Sequence, residues 1–149
     1  MTPDFRIRPL ELGDMALWEP LWRDYLSFYN ANLSDAQIAL TFSRYCDPDR
    51  QDMKAWVAVD GGEILGLCHV IIHSHGWHEA SVTYLQDLFT AQAARGRGVA
   101  RGLITTIYED ADKAGRPSVY WMTQEGNAKA RALYDRIAVK TEFIKYARG

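Results

Sequence analysis

Cysteine is scarce in this chain of 149 residues: Cys46 and Cys68 are the only two. They are too few for the disulfide framework of a small secreted scaffold, and in the cytoplasm such thiols stay reduced. Proline is sparse as well, with 5 residues against 11 glycines, and no linker, repeat or low-complexity tract interrupts the chain. An excess of one charge is also missing. Seventeen Lys and Arg stand against nineteen Asp and Glu, a net charge of −2, so no overall basic field invites nucleic acid or an anionic membrane, and any basic function is local. No apolar run approaches the roughly 20 residues of a membrane span. The start, Met1-Thr2-Pro3-Asp4-Phe5, lacks the basic and apolar regions of a signal peptide. These absences predict a cytoplasmic protein with neither a membrane nor a nucleic-acid partner. What is present is 48% apolar and 24% charged residues, with an unusual 12% aromatic. Such a chain suits one domain over residues 1–149, able to bury roughly two thirds of its unfolded surface without a metal or disulfide.

Phe5-Arg6-Ile7-Arg8 alternates before Pro9 and predicts a short strand that does not continue as a central one. Asp14 is then the candidate N-cap of a helix on which Trp18, Leu21, Trp22, Tyr25, Phe28 and Tyr29 recur at helical spacing, an aromatic face suited to the core. Asn30-Ala31-Asn32 breaks that pattern. Ser34 caps a second helix carrying Ile38, Leu40 and Phe42 as far as Asp47-Pro48. Residues 55–59 and 64–72 are β-rich runs around Asp60-Gly61-Gly62-Glu63, a hairpin turn, and residues 81–90 extend the sheet to a meander. A helix over residues 98–114 stops at Gly115-Arg116-Pro117. A strand over 118–122, a helix over 127–137 and a last short strand, Phe143-Ile144-Lys145-Tyr146, complete the order. This order predicts an α/β (α+β) fold, a mixed sheet with helices on both faces.

Arg95-Gly96-Arg97-Gly98-Val99-Ala100 falls between a strand end and a helix start, where free N–H groups and the helix dipole favour an anion. Glycines let the backbone approach a phosphate, and two arginines add charge and paired donors, so a pyrophosphate or phosphorylated cofactor is the natural ligand. A dinucleotide fingerprint fails at Arg101, where its third glycine belongs, and no Gly-Lys-Ser/Thr completes a Walker loop.

Tyr84-Leu85-Gln86-Asp87-Leu88-Phe89-Thr90 followed by Arg95-x-x-Gly98-x-Ala100 resembles the acetyl-CoA-binding motif of the GCN5-related N-acetyltransferases. Trp121-Met122-Thr123-Gln124 with Asn127, Ala130, Leu133 and Tyr134 resembles the later motif of that family. The likeness runs over essentially the whole chain, and its motifs are most similar to the polyamine or HPA2-type branch. It implies a mostly antiparallel GNAT-like sheet, acetyl-CoA as co-substrate, no metal, and transfer to a primary amine of a small molecule (polyamine-like) or to a lysine side chain. By resemblance, the backbones of Leu88, Phe89 and Thr90 hold the pantetheine arm, and an N–H there polarises the thioester carbonyl. Arg95, Gly96, Arg97, Gly98, Val99 and Ala100 seat the pyrophosphate. Tyr134 is the general acid for the departing thiolate, and Asn127 contacts pantetheine or caps its helix.

The general base stays open. Polyamine acetyltransferases resembling this chain often carry Glu where Gln86 stands, and an amide cannot accept the proton. Gln86 can position the amine or a water instead. Asp87 replaces the missing Glu only if a bulge turns it inward, because successive strand residues face apart. His69, His73, His75 and His78 cluster within ten residues, but without Asp or Cys partners at motif spacing they do not make a zinc site, although one of them remains a possible base. Cys68 beside His69 is no nucleophilic dyad, for the same alternation. Phe28, Tyr29 and Trp77 are the candidate walls of the acceptor site, suited to a cationic amine, with Gln86 at its base. A non-catalytic acyl-CoA-binding module is the competing reading, motivated by Gln86. With one terminal strand where many relatives have two, a homodimer that shares an edge is expected.

Overall fold

The computed structural model describes residues 4–149, so Met1, Thr2 and Pro3, read above for a leader, lie outside it. Five strands form one sheet in the order β1-β2-β3-β4-β5, with β1 (Arg6–Pro9), β2 (Met53–Asp60), β3 (Glu63–His73), β4 (Val82–Thr90) and β5 (Val119–Tyr120). The first three pairings are antiparallel and the last is parallel. Pro9 sits on an edge strand, where its missing N–H costs no ladder bond. The two-residue turn between β2 and β3 has Gly61 at φ +60°, a conformation open to glycine at little cost.

Two helices, α1 (Met15–Phe28) and α2 (Asp35–Cys46), cover one face. Trp18, Leu21, Trp22, Leu26, Ile38, Phe42 and Tyr45 pack there against Ala55, Val57, Val59 and Leu67. The other face carries α3 (Val99–Ala114) and α4 (Ala128–Ile137). Val99, Leu103, Ile104 and Ile107 of α3 close over Trp56, Ala58, Leu65, Cys68, Val70 and Leu85. The mixed, mostly antiparallel sheet with helices on both faces is the expected fold.

Ser34 caps α2 as expected, accepting the Gln37 N–H at 3.1 Å. Three local expectations differ. Asp14 does not cap α1 through its side chain. Its carboxylate takes Arg8 Nη1 and Nη2 at 2.7 and 2.8 Å and the Glu11 N–H at 2.8 Å, pinning β1 to the turn before α1. The strand over 118–122 shortens to Val119–Tyr120, because β5 leaves β4 after two paired residues. The strand at Phe143–Tyr146 does not form. Residues 138–149 hold no strand, since nothing among the described residues offers them a ladder, and Val139, Phe143, Ile144 and Tyr146 are 76–88% exposed.

Candidate active site

Strand β4 is irregular where the chemistry was sought. Leu85 pairs with Val70 and Asp87 with His69, so Gln86 is an extra residue with no partner across the ladder. Leu85 packs on the α3 face while Phe89 packs on the α1 face, although residues four apart in a regular strand share a face. One inserted residue reverses the alternation. The bulge turns Asp87 toward α1 and leaves the Gln86 side chain exposed.

Asp87 is buried there, and both of its oxygens are engaged. Oδ1 accepts the Tyr25 hydroxyl at 2.8 Å, and Oδ2 lies 2.9 Å from His69 Nδ1. On the far side of the ring, Trp18 Nε1–H donates to His69 Nε2 at 3.2 Å. An indole nitrogen only donates, so Nε2 keeps its lone pair, and the imidazole carries its proton on Nδ1, aimed at Asp87. Tyr45 stacks on the ring at 4.2 Å and Trp22 lies across it at 4.9 Å, which fixes its plane. Burial, followed by the charge of Asp87, raises the Tyr25 pKa well above that of an ordinary phenol. The sequence reading missed Trp18, Tyr25 and His69 as members of this network. The signal it passed over was a histidine alternating with Leu67 toward the aromatic face of the first helix.

Past Tyr84, β4 has no neighbour on its β5 side, and the backbone of residues 85–90 bonds only toward β3 among the described residues. Leu88, Phe89 and Thr90 thus line an open edge. That edge runs on to the start of α3, where Gly96 and Gly98 take φ +84° and +83°, left-handed values that suit glycine. Gly98 is the N-cap of α3, and no acidic residue occupies the first helical turn, where Val99, Ala100 and Arg101 present their amides. The arrangement fits an anion. The two loop arginines differ. The Arg97 guanidinium is held by Asp4 and, at 3.1 Å, by Asp60, so its side chain is committed to carboxylates and the loop contributes the Arg97 amide. Arg95 is exposed and forms no ion pair among the described residues, and the same is true of Arg101.

Across the open edge, Tyr134 on α4 is partly buried, its ring 5.3 Å from that of Trp121. Its pKa is raised by burial and then by the nearby Tyr29 phenol. Asn127 caps α4, its Oδ1 accepting the Ala130 N–H at 3.4 Å. Phe28 and Tyr29, whose rings meet edge to face at 5.0 Å, are exposed at the end of α1. Tyr29 also meets Tyr25, and Tyr25 meets Phe89. Tyr25, Tyr29, Phe89 and Asp87 are therefore brought together, and Tyr134 is linked to them only through the effect of the Tyr29 phenol on its pKa. Trp77 is not: it is 83% exposed in the β3–β4 loop, with its ring against His75. His73 bonds the Tyr120 hydroxyl at 2.7 Å. Among the described residues no cluster of three or more His, Cys, Asp or Glu is arranged to hold a metal. Cys68 lies on the α3 face, away from His69, and burial pushes its thiol up to about 12.

Residues 17–138 match the Acetyltransferase (GNAT) family, and the chain belongs to this family of N-acetyltransferase enzymes, whose acetyl donor is acetyl-CoA. It is 34% identical over 147 residues to the D-amino-acid N-acetyltransferase HPA3 of Saccharomyces cerevisiae, across 96% of this chain and 89% of that one. An N-acetyltransferase of Bacillus subtilis, YhfO, is 27% identical over 142 residues, 94% of either chain. The crystal structure of a probable acetyltransferase superposes with a TM-score of 0.84 at 22% identity over 97% of each chain. The aminoglycoside N-acetyltransferase AAC(6')-Iy in complex with CoA gives 0.84 at 17% identity, over 100% of this chain and 97% of that one. These likenesses show the fold.

Proposed function

We propose that the chain, acting as one domain in the cytoplasm, transfers the acetyl group of acetyl-CoA directly to the primary amine of a small molecule. The observation that carries this reading is the open edge of β4, with the left-handed glycine turn of α3 at one end and the Tyr25 and Tyr29 phenols on its α1 side. The pantetheine arm takes the place of a strand along Leu88, Phe89 and Thr90. The pyrophosphate sits on the amides of residues 95–100, with the exposed guanidinium groups of Arg95 and Arg101 beside it. Gln86, exposed on the bulge, holds the amine or a water.

A neutral amine attacks the thioester carbonyl, the carbon–sulfur bond breaks and Tyr134 protonates the leaving thiolate, and the proton then lost by the new amide nitrogen returns the Tyr134 phenolate to the phenol. The buried, unreactive Cys68 supports transfer without an acyl-enzyme. For the acceptor, the motif likeness supports a polyamine-like amine or a lysine side chain, and the relationship to a D-amino-acid N-acetyltransferase supports an α-amine. The exposed apolar residues of the segment 138–149 support a homodimer.

Thiol release from acetyl-CoA with a panel of polyamines, lysine peptides, D- and L-amino acids and aminoglycosides tests the reading. Turnover of at least one small amine is expected. Tight CoA binding without turnover of any of them would establish a non-catalytic acyl-CoA module instead, and failure to bind CoA would sink both.

A further inference from the structure

The chain lacks the expected glutamate at Gln86, yet it buries a carboxylate one residue further on and caps it with a phenol. We propose that Tyr25 relays the acceptor's proton to Asp87, with His69 and Trp18 as positioning residues. The inference rests on the acetyl transfer proposed above and names the base that reaction needs.

Asp87 is nearly inaccessible, and its Oδ2 is occupied by a fully buried imidazole. Its Oδ1 is occupied by Tyr25, which is only partly buried and lies between Phe89 on the open strand and Tyr29 at the exposed end of α1. A solute meets the carboxylate by way of the Tyr25 hydroxyl. The phenolic oxygen donates its hydrogen to Asp87 and keeps lone pairs free for an ammonium N–H. In the relay, the ammonium gives a proton to Tyr25 Oη as the Tyr25 hydrogen passes to Asp87 Oδ1. The amine becomes neutral, Tyr25 stays neutral and Asp87 becomes the acid. Attack and loss of the thiolate follow, and Asp87 returns its proton to solvent through Tyr25 before the next turn.

His69 makes the relay directional. Held by Trp18 with its proton on Nδ1, it donates to Oδ2 and leaves Oδ1 as the oxygen that can be protonated. The titratable groups that feel Asp87 are Tyr25 from α1, Tyr45 from α2, His69 and, on the opposite face of the sheet, Cys68 from β3, and Tyr84 from its own strand. Burial raises the pKa of the three phenols first of all, so they keep their protons through the working range.

The test compares the pH dependence of kcat/KM in the wild type, Tyr25→Phe and Asp87→Asn, with an alkylamine from the panel and with an analogue that is already neutral at neutral pH, such as a hydrazide. CoA affinity is measured alongside. Both variants should bind CoA as the wild type does and lose about 100-fold in kcat/KM for the alkylamine at neutral pH. The loss should shrink as pH rises and free amine accumulates, and should be small for the hydrazide. A loss equal at every pH and for both acceptors assigns the pair a structural role and overturns the relay. A variant with the wild-type profile overturns it too. A wild type that binds CoA but acetylates no amine removes the proposed function itself, and the relay with it.

Discussion

Burial holds the Tyr134 phenol above its ordinary pKa, and the neighbouring Tyr29 adds to the effect. A phenol with a raised pKa keeps its proton through neutral and mildly alkaline pH, so an activity that needs it as an acid falls only above the range where a free tyrosine ionises. Tyr134→Phe should lower kcat by about 100-fold with little change in CoA affinity, as a lost proton donor does. Steady-state kinetics beside a CoA titration checks this, and an unchanged kcat would leave the residue a packing role. The thiols give a second expectation. Burial pushes Cys46 to about 11 and Cys68 to about 12, so neither supplies thiolate at neutral pH. Native protein should resist iodoacetamide, react once unfolded, and show no covalent acetyl group by mass spectrometry after incubation with acetyl-CoA. At this scale the sequence reading reached Asp87 and named the bulge as its condition. It could not see the bulge, because the inserted residue exists only in the register between β4 and β3, and Asp87 and His69 lie 18 positions apart. For the same reason the commitment of the Arg97 guanidinium was not legible: Asp4 and Asp60 reach it from distant parts of the chain.

Elements with strong periodicity were legible. The aromatic stripe of α1, the stripe of Val99, Leu103, Ile104 and Ile107 on α3 and the paired β-rich runs around Gly61-Gly62 each specify their own local structure. Elements that depend on a partner were not. Asp14 looked like a helix cap but serves Arg8, a choice made by where β1 lies. That pair makes a pH-dependent joint. The hydrogen-bonded Arg8 guanidinium holds the Asp14 carboxyl below the usual carboxylate range, against the opposing effect of burial. Its folded-state pKa being depressed, the contribution is complete above the unfolded carboxylate pKa and is lost as pH falls through the lowered value. Asp14→Asn should therefore cost about 3 kcal/mol at neutral pH, the low end for breaking a buried pair because Arg8 stays in touch with water. In thermal denaturation the gap to wild type should narrow in acid; a constant gap would exclude an ionic origin. Gly66 is the other element-level joint. A Cβ there would stand 2.6 Å from Val99 Cγ1 and 3.0 Å from the Phe89 carbonyl oxygen, so this glycine lets β3 pass between the start of α3 and the open strand. Gly66→Ala should cost roughly 1–3 kcal/mol by overpacking. It should also weaken CoA binding by shifting the anion seat relative to residues 88–90. Lower thermal stability with unaltered CoA affinity would separate the two effects and leave the glycine a packing role alone.

At the scale of the whole molecule, the sheet ends differently on its two sides. The β1 edge is short, carries Pro9 and is buttressed by the Arg8–Asp14 pair, devices that discourage further pairing. The β5 edge has two residues and exposes Tyr120, and beyond α4 the chain continues as a segment whose apolar side chains touch no core. The sequence anticipated a strand there from local β-propensity, and the propensity is real. What is absent is a strand to pair with, because β5 stops after Tyr120. A segment with Phe143, Ile144 and Tyr146 exposed together is costly in water, and a second copy of the same segment and edge can supply both a ladder and an apolar cover. Light scattering should give twice the 17.0 kDa of one chain. Replacing Phe143, Ile144 and Tyr146 together by serine should give a folded monomer that still binds CoA, since none of these residues belongs to the β4 edge or the α3 turn. A wild type that runs as a monomer at working concentration would rule out the shared edge. A dimer unchanged by the serine variant would move the interface elsewhere.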